Sequence, residues 1–280
     1  MAKKRKLRNP TPLWKKVYFK TLAQWTASWR KLPEFVIIGA QKGGTSSLFK
    51  YLEPHPELQM SFRKQVHFFD KLYHKGINYY KSNFPLKAFD KGTLSGEATP
   101  YYIFHPAVPK RIHGVLPDAK LILLVRNPID RAFSHYNMKV QQGWEDIPTF
   151  EEAMGKEPER LQAEYDKMEQ NPRYYSKKLR NFSYLARGRY SEQLERWLEY
   201  YPIEQIRVYQ SERFFEQPQE VLREIYEFIG VSDFVPDNLK VHNKRHYEAM
   251  SPGTREKLRQ YYQPYNERLY ELTGKRFDWD

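Results

Sequence analysis

The sequence contains no cysteine and no long apolar run, and both absences restrict what the protein can be. Without cysteine there is no disulfide and no thiolate metal site, which suits a reducing compartment. No apolar stretch approaches the roughly 20 residues of a transmembrane helix, so a soluble chain is expected. The N-terminus lacks the apolar core and small-residue cleavage site of a secretory signal. We therefore predict a cytoplasmic protein.

Acidic side chains are missing from residues 1–31, which carry ten basic ones. The 280-residue chain has a net charge of +13, and positions 32–280 hold 37 basic against 34 acidic residues, which leaves +3. We interpret 1–33 as a basic extension and 34–280 as one domain. Apolar residues at helical spacing in the extension fit two hypotheses. One is an amphipathic helix on an anionic membrane face, and the other is a terminal helix packed on the body with a disordered basic end.

A strand, a glycine-rich turn and a helix are predicted near the start of the domain. Phe35 to Ile38 form a short, largely β-branched apolar run, typical of a parallel strand buried on both faces. Gly43 and Gly44 follow at the turn, where a ligand can approach the backbone closely. The unpaired N–H groups and dipole of a helix start favour an anion such as phosphate. Three hydroxyl residues are suited to cap this helix: Thr45, Ser46 and Ser47.

A second strand-to-helix turn is predicted after the apolar run 121–125. Arg126 follows the strand directly, Pro128 fits a helix start, and Ser134 lies further along the same helix. A guanidinium fork and a hydroxyl are both suited to phosphate oxygens. The sequence therefore predicts two anion-binding turns at the ends of two parallel strands.

Together these turns resemble the nucleotide motifs of sulfotransferases that use 3′-phosphoadenosine 5′-phosphosulfate (PAPS). Lys42 precedes the glycine pair, whereas the lysine of an ordinary P-loop follows its glycines. The run Arg-Asn-Pro-Ile-Asp-Arg-Ala-Phe-Ser, which starts at Arg126, matches the 3′-phosphate motif. The resemblance covers residues 34–279 and is closest to the heparan sulfate and glycan branch. It implies an α/β, P-loop NTPase-like fold with a central parallel β-sheet flanked by helices.

The resemblance also implies a role for each turn. Lys42 would stabilise the departing phosphate during metal-independent, in-line transfer of the sulfuryl group, which leaves 3′-phosphoadenosine 5′-phosphate (PAP). Residues 43–47 would cradle the 5′-phosphate, and Arg126 with Ser134 would bind the 3′-phosphate. The other nucleotide ligands implied by resemblance are Tyr184, Arg187, Lys244 and Arg245.

An acceptor site is implied by the run from Arg63 to Asp70, which resembles Glu-Val-His-Phe-Phe of the glycan enzymes. Gln65 replaces the glutamate that is the expected base there, and an amide cannot take a proton at neutral pH. His67 is a second candidate for the base, although a packed histidine making a structural hydrogen bond is the simpler interpretation. The residues predicted to contact the acceptor are Lys64, Gln65, His67, Thr99 and Tyr101.

A surviving carboxylate follows at the predicted strand 94–98. The glycan enzymes have Glu-Lys-Thr-Pro here, and this chain keeps Glu97 but has Ala98 in place of the lysine. Ends of parallel strands meet at the ligand crevice, so Glu97 is placed where chemistry occurs. We expect Glu97 or His67 to take the acceptor proton, with a cap or salt bridge as the alternative for Glu97.

Residues 141–182 are charged and are predicted to be largely irregular. They form either a lid or acceptor-binding insertion over the site, or a solvated helical excursion. The predicted acceptor is a carbohydrate, a glycolipid or another hydroxyl compound, and nucleic acid is not expected. Two rival hypotheses remain. One is a P-loop kinase-like transferase, and the other is a catalytically impaired PAPS-binding protein, which the loss of ionisable groups at Gln65 and Ala98 motivates.

Overall fold

The computed structural model describes residues 22–89, 92–171, 174–239 and 249–279. Among these, 22–125 and 197–239 form one compact unit, which we call the sheet unit. Residues 126–196 and 249–279 form a second one, the helical unit. The basic stretch 1–21 lies outside the described residues, so both hypotheses about it stay predictions.

The sheet unit contains every strand of the described chain. The strands are β1 Phe35–Gly39, β2 Leu58–Met60, β3 Leu94–Ala98, β4 Lys120–Val125 and β5 Ile206–Gln210. Its helices are α1 Leu22–Trp25, α2 Thr45–Leu52, α3 Ile77–Lys81, α4 Val108–His113, α10 Ser211–Glu216 and α11 Pro218–Ile229. Shorter turns of 3-10 or π geometry occur at Ala27–Trp29, Phe68–Leu72, Tyr73–Lys75, Lys87–Phe89 and Ile203–Gln205.

The five strands form one parallel sheet in the order β2-β3-β1-β4-β5. All five residues of β1 are buried, as expected for the central strand of a sheet that is covered on both faces. Gly96 on β3 is needed for packing, because a Cβ there would lie 2.1 Å from the ring of Phe35. Helices α2, α10 and α11 pack on the sheet through a continuous apolar core. The predicted α/β fold with a central parallel sheet is confirmed.

The helical unit consists of helices joined by short turns. They are α5 Pro128–Gln141, α6 Phe150–Gly155, α7 Glu157–Gln170, α8 Lys177–Phe182, α9 Tyr190–Leu198, which ends in the sheet unit, and α12 Pro252–Thr273. A separate apolar core joins α5, α6 and α12, with Tyr136, Tyr184 and Tyr262 among its largest members.

Residues 141–182 are mainly helical, so the prediction of a largely irregular segment is wrong. Buried carboxylates hold this segment together and join it to the turn that follows it. Glu145 forms a bidentate pair with Arg160, at 2.6 and 3.0 Å. Glu157 accepts hydrogen bonds from the backbone N–H groups of Leu185 and Ala186, at 2.6 and 2.8 Å. Both alternatives for this segment, a lid or acceptor-binding insertion and a solvated helical excursion, stay predictions.

Candidate active site

The glycine-rich turn between β1 and α2 has the backbone of an anion-binding loop. Lys42 has a left-handed φ of 75°, and Gly44, at the cap position of α2, has a φ of 95°. Gly43 approaches β4 so closely that a Cβ would lie 2.6 Å from the carbonyl oxygen of Leu124. The Ser211 hydroxyl donates to the Gly43 carbonyl oxygen at 3.0 Å and so fixes the turn from a neighbouring helix. A left-handed lysine is uncommon and marks a backbone held for function.

No side chain caps the start of α2, in contrast to the expectation for Thr45, Ser46 and Ser47. The helix begins at Thr45 after a glycine cap, and Thr45 and Ser47 are buried. A glycine at the cap position allows a ligand to approach the start of the helix closely, as in anion-binding helix starts.

The hydroxyl groups at this helix start instead accept hydrogen bonds from Lys64. The Lys64 Nζ atom lies 2.5 Å from Ser46 Oγ and 3.5 Å from Thr45 Oγ1. Burial lowers the pKa of the Lys64 ammonium to about 8. A cavity of about 380 Å³ opens beside these groups, and its walls include Ser46, Lys50, Phe62 and Arg63. The predicted acceptor-contact residue Lys64 thus lies against the predicted donor turn.

The run after Lys64 is held in an uncommon backbone conformation. Gln65 has a φ of 62° and His67 a φ of 54°, both in the left-handed region that non-glycine residues seldom adopt. The Gln65 N–H donates to the carbonyl oxygen of Ala98 at 2.9 Å, which fixes this run to the C-terminal end of β3. Such strain clusters at active sites because the surrounding fold must hold it.

His67 forms a hydrogen-bonded pair with Asp70, a residue that the sequence analysis did not single out. The distance from His67 Nδ1 to Asp70 Oδ2 is 2.8 Å, and the carboxylate of Asp70 is fully buried. The other ring nitrogen, Nε2, lies 3.3 Å from the amide oxygen of Gln65. The spacing His-Phe-Phe-Asp was the available signal, because a single π-helical turn brings the carboxylate back to the ring.

Glu97 lies at the end of β3, as predicted, but its side chain is completely buried. It accepts hydrogen bonds from the Tyr80 hydroxyl at 2.8 Å and from Thr99 Oγ1 at 3.2 Å. Burial raises the pKa of Glu97 to about 7, despite these hydrogen bonds to the carboxylate. Thr99 and Tyr101 are also buried. The acceptor contacts assigned to both stay predictions.

Arg126 and Ser134 are both placed by α5 and the strand end before it. The Asn127 side chain caps α5 by accepting from the Ile129 N–H at 3.0 Å, and the Tyr190 hydroxyl donates to the Arg126 carbonyl at 3.0 Å. Arg126 is partly exposed, whereas Ser134 is buried. The motif thus forms an ordered strand-to-helix turn within the helical unit, and its role in binding a 3′-phosphate stays a prediction.

Tyr184 and Arg187 lie in the interior of the helical unit. The Tyr184 hydroxyl donates to Glu145 at 2.7 Å, and its carbonyl oxygen accepts from Arg131. The Arg187 guanidinium donates to the carbonyl oxygens of Leu179 and Arg180, at 3.2 and 2.9 Å. These contacts give both side chains a structural role, and nothing in the structure tests the nucleotide contacts assigned to them. Lys244 and Arg245 lie outside the described residues.

Within the described ranges, no group of three or more histidine and carboxylate side chains could hold a metal ion. Metal-independent chemistry stays a prediction. No helix in the same ranges is long and apolar enough to cross a bilayer.

The parallel sheet with a lysine-bearing glycine turn at the end of its central strand defines a class of α/β phosphate-binding proteins. Within that class, the sulfotransferase domain family matches residues 32–270. The chain therefore belongs to the sulfotransferase domain family, and the resemblance inferred from the two nucleotide motifs is confirmed.

A solved sulfotransferase from Alicyclobacillus acidocaldarius is 33% identical, with a TM-score of 0.71. The match covers 88% of this chain and 98% of that one. Mouse heparan sulfate glucosamine 3-O-sulfotransferase 3B1 is 31% identical over 90% of this chain and 66% of its own length. The membrane-associated sulfotransferase kil1 of Dictyostelium discoideum is 27% identical, over 89% of this chain and 66% of its own length. This chain thus spans just under two thirds of these curated relatives.

Proposed function

We propose that the protein is a PAPS-dependent sulfotransferase whose acceptor is a carbohydrate or glycolipid. Family membership supports the transfer of a sulfuryl group, and the names of the mammalian relatives support a glycan as the acceptor. The proposed roles of the site residues rest on the geometry within each unit.

The contact of Lys64 with Ser46 and Thr45 carries this proposal. It supports an acceptor contact at Lys64, because the Lys64 Nζ atom lies against the helix start that is predicted to hold the 5′-phosphosulfate. A sulfotransferase must hold donor and acceptor within bonding distance of one sulfur atom, because in-line transfer requires attacking and leaving oxygens on opposite sides. A plain nucleotide-binding turn would need no such neighbour.

The donor side of the reaction depends on charge stabilisation. Lys42 and the uncapped N–H groups of α2 would stabilise the negative charge that develops on the leaving phosphate. In the helical unit, Arg126 and Ser134 would hold a 3′-phosphate. No step of this scheme requires a metal, since the sulfuryl group carries less charge than a terminal phosphate.

His67, positioned by Asp70, would take the acceptor proton. The carboxylate accepts the Nδ1 hydrogen bond, and Nε2 would accept the proton once the acceptor displaces the Gln65 amide, whose oxygen lies 3.3 Å from it. The acceptor oxygen or nitrogen forms a bond to sulfur, the bond from sulfur to the phosphate oxygen breaks, and the proton moves to Nε2. Glu97 is less suited to direct contact, because its side chain is buried and both its oxygens accept hydrogen bonds.

The two rival hypotheses are not favoured. A kinase-like protein would present its lysine after the glycines, whereas Lys42 precedes them. An impaired PAPS-binding protein was suggested by Gln65 and Ala98. The His67–Asp70 pair offers a base that does not depend on either position. We further propose a cytoplasmic protein that contacts a membrane peripherally through its basic N-terminal tail.

Transfer of label from [35S]PAPS tests the proposed function. We expect transfer to desulfated heparan sulfate or to a sugar-headgroup lipid in the presence of EDTA, and stabilisation of the protein by PAP but not by Mg-ATP. Stabilisation by PAP without transfer to any glycan, lipid or alcohol would support the impaired binder. Stabilisation by Mg-ATP alone would support the kinase-like alternative.

A further inference from the structure

Two tryptophans near the start of the described chain are unusually exposed. Trp25, on α1, is 86% exposed and Trp29, on the adjoining 3-10 turn, is 66% exposed. Phe62 and Ile77 are the nearby exposed apolar residues, at 53% and 36%. We call these four residues the aromatic surface. The elements that carry Trp25, Trp29 and Ile77 pack on one another, and such groups of exposed large apolar side chains usually mark an interaction site.

Packing and hydrogen bonds attach the aromatic surface to the sheet unit. α1 and the turn that carries Trp29 both pack against α3, which begins at Ile77. The buried Arg30 holds the turn in place, because its guanidinium donates to the Phe84 carbonyl at 2.5 Å and to Thr26 Oγ1 at 3.0 Å. The same guanidinium lies 5.9 Å from the centre of the Phe62 ring. The tryptophans are thus presented by a fixed scaffold.

Basic side chains are in excess around the aromatic surface. Neither 22–31 nor 71–81 contains an acidic residue, and the nearby Glu34 is paired with Lys31 at 3.4 Å. The exposed charged side chains of the second stretch include Lys71 and Lys75, and its one acidic neighbour on the preceding turn, Asp70, is buried. Exposed tryptophan beside lysine and arginine is the composition of protein surfaces that lie in the headgroup layer of anionic bilayers.

Phe62 connects this surface to the candidate active site. Its ring is exposed next to Arg30 and also forms part of the wall of the cavity beside Lys64. A bilayer that contacted Trp29 and Phe62 would therefore lie at the rim of that cavity.

We propose that the aromatic surface, with Lys71 and Lys75, docks on an anionic lipid bilayer and so presents the cavity beside Lys64 to headgroups of that bilayer. The docking is inferred from the exposed residues alone. The presentation of the cavity to headgroups rests on the proposed function, and it implies that the acceptor is a lipid-linked sugar.

A lipid surface is favoured over a protein partner by the combination of features. Interfacial tryptophans need no matching pocket, and the excess of positive charge, which includes the exposed Lys71 and Lys75, complements an anionic bilayer. A surface that binds a protein would instead be expected to have a polar rim with acidic and hydrogen-bonding side chains.

Co-sedimentation of the full chain with vesicles tests the docking. We expect binding to vesicles of phosphatidylcholine with 30% phosphatidylglycerol, weak binding to pure phosphatidylcholine, and loss of binding as salt is raised. The Trp25→Ala/Trp29→Ala variant should bind about tenfold or more weakly, because two interfacial side chains are lost. Trp144→Ala is the matched control, since Trp144 is 46% exposed but lies in the helical unit.

Equal binding by the double variant and the wild type would overturn the proposal. So would a concentration-dependent dimer that the double variant abolishes, because the occupant would then be a second copy of the chain. Protection of Trp25 and Trp29 from acrylamide quenching in the lipid-free protein would show that residues 1–21 cover them, and would also refute it. PAP-induced stabilisation of each variant shows that it is folded, and vesicle binding needs no PAPS. A failure of docking is therefore distinguishable from a failure of the proposed function.

Discussion

His67 Nδ1 lies 2.8 Å from the buried carboxylate of Asp70, and both residues belong to one short π-helical turn and its cap. The contact orients the ring, and the left-handed backbone at His67 shows that the fold maintains this position at a conformational cost. A carboxylate that fixes one ring nitrogen leaves the other as the proton acceptor, which is the arrangement of many general bases.

We therefore predict that His67→Ala lowers kcat about 100-fold or more, because the acceptor proton then has no recipient. Asp70→Asn should lower kcat less and should change the pH profile of kcat, since the ring loses its orienting charge. The stabilisation by PAP should be unchanged in both variants. The matched control is His74→Ala, an exposed histidine of the following turn. Normal turnover by His67→Ala would assign the proton to another group.

Substitutions of Lys42 and Arg126 should affect different quantities, namely kcat for Lys42 and PAP binding for Arg126. Lys42→Ala should lower kcat far more than it weakens PAP binding, because the lysine acts on charge that develops during transfer. Arg126→Ala should mainly raise the Kd of PAP. The loss of binding free energy should be roughly 1.5–3 kcal/mol, the value of a charged hydrogen bond. Calorimetry measures the binding of PAP, and initial rates measure kcat. Lys110→Ala, which changes an exposed lysine, is the control. If Lys42→Ala lowered PAP binding and kcat equally, the proposed role of Lys42 in stabilising the transition state would be refuted.

Lys64 should determine how well an anionic acceptor binds. Its pKa is lowered to about 8, so the ammonium charge is lost as the pH rises through 8. The KM of a sulfated or carboxylated acceptor should rise between pH 7 and pH 9, while that of an uncharged sugar should stay constant. Lys64→Met should remove this pH dependence. Lys50→Met should retain it, because Lys50 lines the same cavity but pairs with Glu53 at 2.5 Å. The same pH dependence in Lys64→Met would refute the assignment.

The parallel sheet could be predicted because its strands are marked by local signals. Phe35–Ile38 and residues 121–125 are continuous apolar runs followed by turn residues, and both became strands at those positions. β2 was missed, because its three residues, Leu58–Met60, form no run and alternate with polar neighbours. A strand this short is stabilised by its pairing with β3, which local sequence does not encode.

The candidate site was predicted less completely. Residue types and motif spacing indicated Lys42, His67 and Glu97, but burial decides what such groups can do, and burial depends on the whole fold. Glu97 is enclosed by Tyr80 and Thr99, and Tyr80 comes from a helix 17 positions earlier in the chain. The contact between Lys64 and Ser46 likewise joins residues 18 positions apart. No local pattern predicts such a contact.

Glu97 should make the stability of the protein depend on pH. Burial raises its pKa from the ordinary value of 4.5 to about 7, so its stabilising contribution is fully present below pH 4.5 and is lost as the pH rises to about 7. Glu97→Gln keeps the shape of the side chain without the charge. The variant should match the wild type in free energy of unfolding near pH 4.5 and exceed it by up to roughly 3 kcal/mol at pH 8. Urea unfolding at both pH values measures this, with the exposed Glu199→Gln as control. A variant that is less stable than the wild type at pH 8 would show that the Glu97 carboxylate is charged and stabilising in the folded protein.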